Sequence, residues 1–188
     1  MKKFSLMLTV LFLSLMFVSC GGSSGDGGGS RQEETVDCMS ATQETDLRAF
    51  LNRVSQIPVI EGIGTFRVFP ENSPIILTET YDLVSNGEDT WTMTNIYCFS
   101  SEECDSDVYP MKIQDGCFYN YDRDLLKEVI SVSASFLITS SIQKDPNAPA
   151  DTIQVEETTI IQPSNKIKIN NKVFRNERLI QSYSFESF

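Results

Sequence analysis

The stretch Ile130-Ser131-Val132-Ser133-Ala134-Ser135-Phe136-Leu137-Ile138-Thr139 has the clearest periodicity in the chain, because apolar and small polar side chains alternate along most of it. Successive side chains of a β-strand point to opposite faces of the sheet. The alternation therefore predicts one long strand over residues 126–142, with Phe136 and Ile138 on a dry face and the serines on a polar face. An antiparallel sheet that covers a core with one face has this pattern.

The segments before this stretch also have the periodicity of strands. Leu77, Tyr81 and Leu83 recur at even spacing and predict one face of a strand. Asn86-Gly87 follows them, and this dipeptide is a strong signal for a two-residue hairpin turn. The hairpin leads into a further predicted strand over residues 91–99.

The remaining strands are predicted from shorter patterns. A strand over residues 111–121 contains Gly116, which predicts a bulge or a bend inside it. After residue 150 the apolar segments are short, and turns are predicted between them at Pro163-Ser164-Asn165 and at Asn170-Asn171. Seven to nine strands joined by such short connections predict an antiparallel meander.

One segment near the start of the folded part has helical spacing instead. Ser40 and Gln43 form a capping-box pattern, and Leu47, Phe50 and Leu51 then recur on one face of a helix. Residues 38–188 are thus predicted to form a single mainly β domain with one N-terminal amphipathic helix. Both a barrel-like sheet and a two-layer sandwich agree with these patterns.

The cysteines indicate an oxidising compartment. Beyond Cys20 there are four, Cys38, Cys98, Cys104 and Cys117, and an even number in an exported chain predicts two disulfides. Cys98–Cys104 with Cys38–Cys117 is one pairing, and a Cys98–Cys117 bridge between neighbouring strands is an alternative. The spacing lacks the two-residue gaps typical of zinc sites, so no metal is expected.

The first residues have the pattern of a secretory signal. Met1-Lys2-Lys3 precede an apolar run over residues 4–18, which is shorter than the roughly 20 residues that a membrane-spanning helix needs. The run ends at Phe17-Val18-Ser19-Cys20, which resembles the lipobox of bacterial lipoprotein signal peptides, with Phe17 where leucine is usual. This resemblance implies cleavage of residues 1–19 and lipidation of Cys20 with fatty acyl chains such as palmitate.

The tether that follows is rich in glycine and serine. Residues 20–37 have few side chains to bury, so they are predicted to form a flexible link between the lipid and the domain. Lipoproteins with Asp directly after the lipidated cysteine tend to stay in the inner membrane, so Gly21 favours the cell outer membrane. The protein is expected to be exported and anchored to the cell envelope through its lipid.

Composition excludes several classes of function. With 26 acidic and 15 basic residues the chain has a net charge of −11, which argues against a nucleic-acid partner. It contains no histidine, so a Ser-His-Asp or Cys-His nucleophile and a histidine-ligated metal are excluded. No catalytic residue and no cofactor is predicted. The acidic segment over residues 102–107 is interpreted as a solvated loop rather than a calcium site.

Two groups of residues are candidates for binding. Lys166, Lys168 and Lys172 concentrate positive charge near the carboxyl end and form a candidate anion-binding face. Lysines on a strand also prevent edge-to-edge aggregation, and this structural role is favoured. Trp91, Phe136 and Ile138 are candidate wall residues of an apolar ligand cavity, of which the last two belong to the long predicted strand.

The favoured function is a non-enzymatic binding or interaction module whose partner is an envelope protein or a cell-wall polymer. The alternative is a carrier of an apolar ligand. Gly64-Thr65-Phe66 is similar to the Gly-x-Trp opening of lipocalins, and a helix before an antiparallel sheet is similar to periplasmic lipoprotein carriers. An enzyme of unknown type ranks third. A carrier needs an unfilled interior, whereas the inward faces of a module are expected to pack shut.

Overall fold

The computed structural model describes residues 38–188 except residues 72, 101–102, 121–124 and 146–147. The predicted signal peptide, Cys20 and the tether therefore lie outside the described residues. The described part has one α-helix, α1 (Ala41–Val54), and ten β-strands. The strands are β1 Ile60–Val68, β2 Pro74–Gly87, β3 Thr90–Cys98, β4 Cys104–Gln114, β5 Cys117–Asn120, β6 Leu125–Ser133, β7 Phe136–Asp145, β8 Ala148–Ile161, β9 Ile167–Arg175 and β10 Arg178–Ser187.

The ten strands form a closed barrel in which each strand pairs antiparallel with its neighbours in sequence, and β1 pairs with β10. Closure leaves no free sheet edge along the ring. The mainly β class, the meander order and the barrel alternative are confirmed. The predicted number of strands, seven to nine, was too low because two predicted strands are each a hairpin.

The first of these hairpins replaces the long strand predicted over 126–142. The chain turns at Ala134 and Ser135, so that β6 and β7 pair with each other. A register shift between Val129 and Ser131 further changes which residues face inward along β6. The alternation of small and apolar residues continues through the turn without glycine or proline, so the sequence contains no local signal for it.

The other differences concern turns. The predicted strand over 111–121 consists of β4 and β5 joined at Asp115 and Gly116, both with positive φ, as an Asp-Gly hairpin turn requires. The hairpin predicted at Asn86-Gly87 is present between β2 and β3, but its turn lies two residues further on, at Glu88 and Asp89, which both have positive φ. Asn170 and Asn171 are not a turn, since both lie inside β9 and pair with β8 and β10.

Helix α1 closes one end of the barrel. Its predicted capping box is confirmed: the Gln43 backbone N–H donates to Ser40 Oγ at 3.3 Å, and the Ser40 N–H donates to Gln43 Oε1 at 3.0 Å. Leu47, Phe50 and Leu51 are buried against the inward side chains of the strands. Burial of each contributes about 1.5–3 kcal/mol relative to exposure, so packing rather than helix propensity holds α1 in place.

Polar contacts fix the orientation of α1. Arg48 donates from Nε and from a terminal guanidinium nitrogen to the two carboxylate oxygens of Asp89, both at 2.7 Å. These hydrogen bonds lower the pKa of Asp89. On the other side, the Gln43 side chain donates to the Val129 carbonyl at 3.0 Å.

Both disulfides of the first predicted pairing are present. Cys38–Cys117 links residues 79 apart in sequence and holds the chain just before α1 to the start of β5. Cys98–Cys104 closes the short connection between β3 and β4. These two connections lie at opposite ends of the barrel, so one disulfide secures the end that α1 closes and the other secures the opposite end.

Candidate functional site

The interior of the barrel is not packed shut. A larger cavity of about 230 Å³ lies directly beneath α1, whose residues Phe50, Leu51 and Val54 form part of its wall. A smaller cavity of about 200 Å³ lies further from the helix. The two cavities adjoin, and each is in the size range of a small apolar group rather than of a macromolecule. The residues that line both are Tyr81, Asn95, Tyr109, Val155 and Asn171.

The larger cavity has an apolar side and a polar side. Besides the helix, Leu83, Met111 and Ile167 contribute apolar surface. The polar side contains an ion pair between Lys127 and Glu157, with 2.9 Å from Nζ to the carboxylate oxygen. The two side chains of the pair are partly shielded from solvent. Because each charge lies beside the opposite one, neither is left uncompensated in the wall.

Register explains why polar groups gather at one level of the barrel. Thr139 on β7 pairs with Glu157 on β8, Glu157 pairs with Asn171 on β9, and Asn171 pairs with Tyr183 on β10. All four side chains line the cavities. Residues directly opposite on neighbouring strands point to the same face. The four therefore form a polar belt across the inner wall.

The polar belt continues into a buried cluster around Glu79 on β2. The side chain of Glu79 is only 2% exposed and lines the smaller cavity. Its Oε2 accepts hydrogen bonds from the hydroxyl groups of Tyr81 at 2.8 Å and Tyr183 at 2.9 Å, and from Asn95 Nδ2 at 3.2 Å. The two tyrosine hydroxyl oxygens are 2.6 Å apart. Three donors from three strands thus converge on one carboxylate oxygen.

Burial sets the proton affinities in this cluster. Loss of hydration raises the pKa of Glu79, and the hydrogen bonds from Tyr81, Tyr183 and Asn95 oppose this effect. Burial likewise raises the pKa of both tyrosines, so their hydroxyl groups stay protonated and can donate. The carboxylate is therefore the group of this cluster whose pKa burial moves upward from the ordinary carboxyl range.

Two glycines of β1 make room for the cluster. Gly62 and Gly64 are buried and face inward. A Cβ added at Gly64 would overlap the Glu79 oxygen Oε1, and one added at Gly62 would meet the ring of Phe185 at 2.6 Å. A side chain at either position would occupy the space that Glu79 and Phe185 now fill. The two glycines therefore allow these side chains to pack against the backbone of β1.

Three buried oxygen atoms around the cavities have no hydrogen-bond partner within the described part of the chain. They are Oε1 of Glu79, Oδ1 of Asn95 and Oδ1 of Asn171. Buried polar groups without partners are costly, and they are rare in folded proteins. All three are acceptors, so a molecule that supplies donor groups would satisfy them.

The aromatic and aliphatic residues predicted to line a cavity lie elsewhere. Trp91 faces inward and is buried in the core beneath α1, where its indole N–H donates to Asn52 at 3.3 Å, but it lines neither cavity. Phe136 and Ile138 also line neither cavity, because their neighbours Leu137 and Thr139 face inward instead. The prediction assumed that the apolar face of β7 is the inner one, whereas the inner face there is largely polar.

The candidate anion-binding lysines lie on the outside of the barrel. Lys166 is exposed in the connection between β8 and β9, and Lys168 and Lys172 belong to β9. Lys168 pairs with Glu186 on β10, and Lys172 pairs with Glu156 on β8. Opposite charges therefore flank two of the three lysines, which reduces the positive potential of this face.

The acidic segment around Cys104 is divided between solvent and interior. Glu103 and Asp105 are exposed, while Asp107 lines the smaller cavity and accepts a hydrogen bond from the Tyr109 hydroxyl at 3.0 Å. Glu102 lies outside the described residues. Among the residues that the structure describes, no group of three or more His, Cys, Asp or Glu side chains is arranged to hold a metal ion.

Sequence reasoning missed Glu79, although a signal was present. Glu79 has the same even spacing as Leu77, Tyr81 and Leu83, so it belongs to the inner face of β2. A carboxylate on an otherwise apolar strand face indicates a buried polar site. Asn171 was missed for another reason, because its asparagine pair was interpreted as a turn.

Comparison with known proteins gives no family for this chain. No protein-family model matches it, and no curated protein is significantly similar to it. Within the described ranges, no helix has the length and hydropathy needed to cross a bilayer.

Proposed function

We propose that this protein is a non-enzymatic carrier that binds a small amphipathic molecule inside its barrel. The observation that supports this most is the pair of adjoining cavities, because the inward side chains of ten strands and one helix leave them unfilled. An interaction module without an internal ligand has no need of such space. The cavities favour the carrier over the module.

The distribution of polarity supports an amphipathic ligand rather than a purely apolar one. The wall beneath α1 is apolar, and burial of a hydrocarbon group there is favourable by about 25 cal/mol per Å². The polar belt and the Glu79 cluster lie on the far side of the same space and together contain three acceptors without partners among the described residues. A molecule with one apolar end and one hydrogen-bonding end matches both walls.

We propose further that the carrier is exported and tethered to the envelope through a lipid on Cys20. The signal-like residues 1–19 and the cysteine that ends them support this, as do two disulfides in the barrel. On a tether the barrel stays close to the membrane, where amphipathic molecules are enriched. The membrane is then its partner through the anchor, and the outer membrane is the proposed location.

A native mass spectrum tests the carrier proposal. The chain from Gly21 to Phe188, exported to an oxidising periplasm behind an ordinary cleavable signal peptide, lacks Cys20 and is therefore purified unlipidated and without detergent. We expect an additional mass of small-molecule size that disappears on denaturation. A bare protein mass, together with no binding of the apolar dye N-phenylnaphthylamine, would contradict the proposal.

A matched pair of variants locates the binding. Thr159 faces inward and lines the larger cavity, whereas its neighbour Thr158 faces outward on the same strand. Thr159→Phe fills the space and is expected to abolish dye binding, while Thr158→Phe leaves it unchanged. Equal dye binding by both variants would place the ligand outside the barrel.

A further inference from the structure

The smaller cavity has an unusual balance of charge. Glu79 and Asp107 both line it, and no lysine or arginine is among the described residues of its wall. Lys127 lines the adjoining larger cavity and is already paired with Glu157 at 2.9 Å. The described wall of the smaller cavity thus contains two acidic residues and no basic one.

Glu79 in particular is buried without a cationic partner. Its three hydrogen-bond donors are neutral, and all of them contact Oε2, while Oε1 has none. A buried carboxylate is costly unless a positive charge accompanies it. Among the described residues no lysine or arginine lines this cavity, so the charge is neutralised either by a proton on Glu79 itself or by a cationic ligand.

The rest of the wall also suits a cation. Four tyrosines line the smaller cavity, and their ring faces and hydroxyl oxygens both attract positive charge. The unpartnered Oδ1 atoms of Asn95 and Asn171 can accept N–H donors. Carboxylate, aromatic rings and amide oxygens together form the kind of site that binds organic ammonium groups. The tyrosines are Tyr81, Tyr97, Tyr109 and Tyr183.

We infer that the barrel binds an organic amine, with its ammonium group in the smaller cavity beside Glu79 and its apolar body in the larger cavity beneath α1. The inference rests on the proposed carrier function and specifies its ligand class. The residues shared by both cavities, such as Tyr81 and Val155, lie where the ammonium group joins the apolar body.

A carboxylate ligand is the main competing class, and the geometry disfavours it. An anionic head in the smaller cavity would lie beside Glu79 and Asp107 and be repelled. In the larger cavity it would have to displace Glu157 from Lys127. An amine meets neither obstacle.

Three probes with the same hydrocarbon tail separate these possibilities. Octylamine, octanol and octanoate are titrated against the unlipidated chain over residues 21–188, and displacement of N-phenylnaphthylamine reports binding. We expect octylamine to bind at least about tenfold more tightly than octanol, because its ammonium gains a charge-assisted hydrogen bond. Octanoate is expected to bind most weakly.

The variant Glu79→Gln removes the charge while keeping the shape and a hydrogen-bonding group. We expect it to lower the affinity for octylamine about tenfold or more and to leave that for octanol unchanged, which also shows that the variant is folded. Glu61→Gln is the control, since Glu61 is exposed on β1. If Glu79→Gln does not fold, Asp107→Asn takes its place, with a smaller loss expected.

The outcomes distinguish the two proposals. Equal binding of all three probes, or tighter binding of octanoate, would overturn the amine inference and leave the carrier function standing. Binding of none of them, with no dye bound, would overturn the carrier function and the inference with it. Octylamine binding that Glu79→Gln and Asp107→Asn leave unchanged would also overturn the inference.

Discussion

The two cavities differ in what surrounds them. Beneath α1 the wall is made of large apolar side chains such as Phe50 and Phe118, which are almost fully buried. Around Glu79 the wall is made of tyrosines, amides and carboxylates, and some of their oxygens lack partners. The helix end therefore supplies stability, whereas the Glu79 end contains buried oxygens without partners that cost stability, which fits the proposed ligand site.

The largest effect is expected at the helix end. Phe50→Ala removes a side chain that is 2% exposed and enlarges the cavity beneath α1. We expect the free energy of unfolding to fall by about 3–5 kcal/mol, measured by urea denaturation. Phe188→Ala is the control, because that ring is 67% exposed. A loss at Phe50 of similar size to that at Phe188 would mean that α1 does not carry the stability of this end.

The disulfides allow a second comparison of the two ends. Replacing both cysteines of Cys38–Cys117 by alanine frees a loop of 79 residues, and in the chain-entropy relation this costs about 4.5 kcal/mol. The same change at Cys98–Cys104, which spans 6 residues, costs about 2 kcal/mol. Urea midpoints of the two double variants measure the difference. A greater loss at Cys98–Cys104 would show that the end opposite α1 limits stability.

Local features were predictable from the sequence. The capping box of Ser40 and Gln43 and the hairpin that follows Asn86-Gly87 depend on residues a few positions apart, so their signals are contained in short segments, although the turn itself lies two residues beyond the predicted pair. The closure of β1 on β10 depends on residues more than a hundred positions apart. No short pattern distinguishes it from a sandwich, so barrel and sandwich were equally compatible with the sequence.

The site was less predictable because the inner wall does not follow the rule that apolar residues face inward. Along β7 the residues Thr139, Ser141 and Gln143 line the cavity, while Ile142 is 62% exposed. A barrel that holds a polar group has polar inner positions, so alternation gives the period of a strand without showing which face is inside. The same ambiguity concealed Glu79.

A smaller effect is expected when one donor of the Glu79 cluster is removed. Tyr183→Phe deletes the hydroxyl that donates to Glu79 at 2.9 Å and keeps the ring. We expect a loss of about 1–2 kcal/mol in the free energy of unfolding, because a buried acceptor loses a partner. Tyr119→Phe on β5 is the control, with little change expected, since Tyr119 lies outside both cavities. A stability gain at Tyr183 would mean that the hydroxyl groups crowd one another.

The smallest effect is a pH dependence of stability that comes from Glu79 itself. Burial raises the pKa of Glu79 from its ordinary value of 4.5. Below 4.5 the carboxyl group is protonated in both the folded and the unfolded chain and costs nothing. As the pH rises from there to the raised pKa, the unfolded chain releases the proton first, so this group makes the folded state progressively less stable.

Glu79→Gln removes that titration. Measured on ligand-free protein by urea denaturation, the stability of the variant relative to the original protein is therefore expected to increase with pH above 4.5 and then to level off. Glu61→Gln, exposed on β1, is the control and is expected to give a flat difference. A difference that decreases with pH would mean that the ionised carboxylate stabilises the empty barrel. The hydrogen bonds from Tyr81 and Tyr183 would then outweigh burial, and the cluster would not need a ligand cation to compensate its charge.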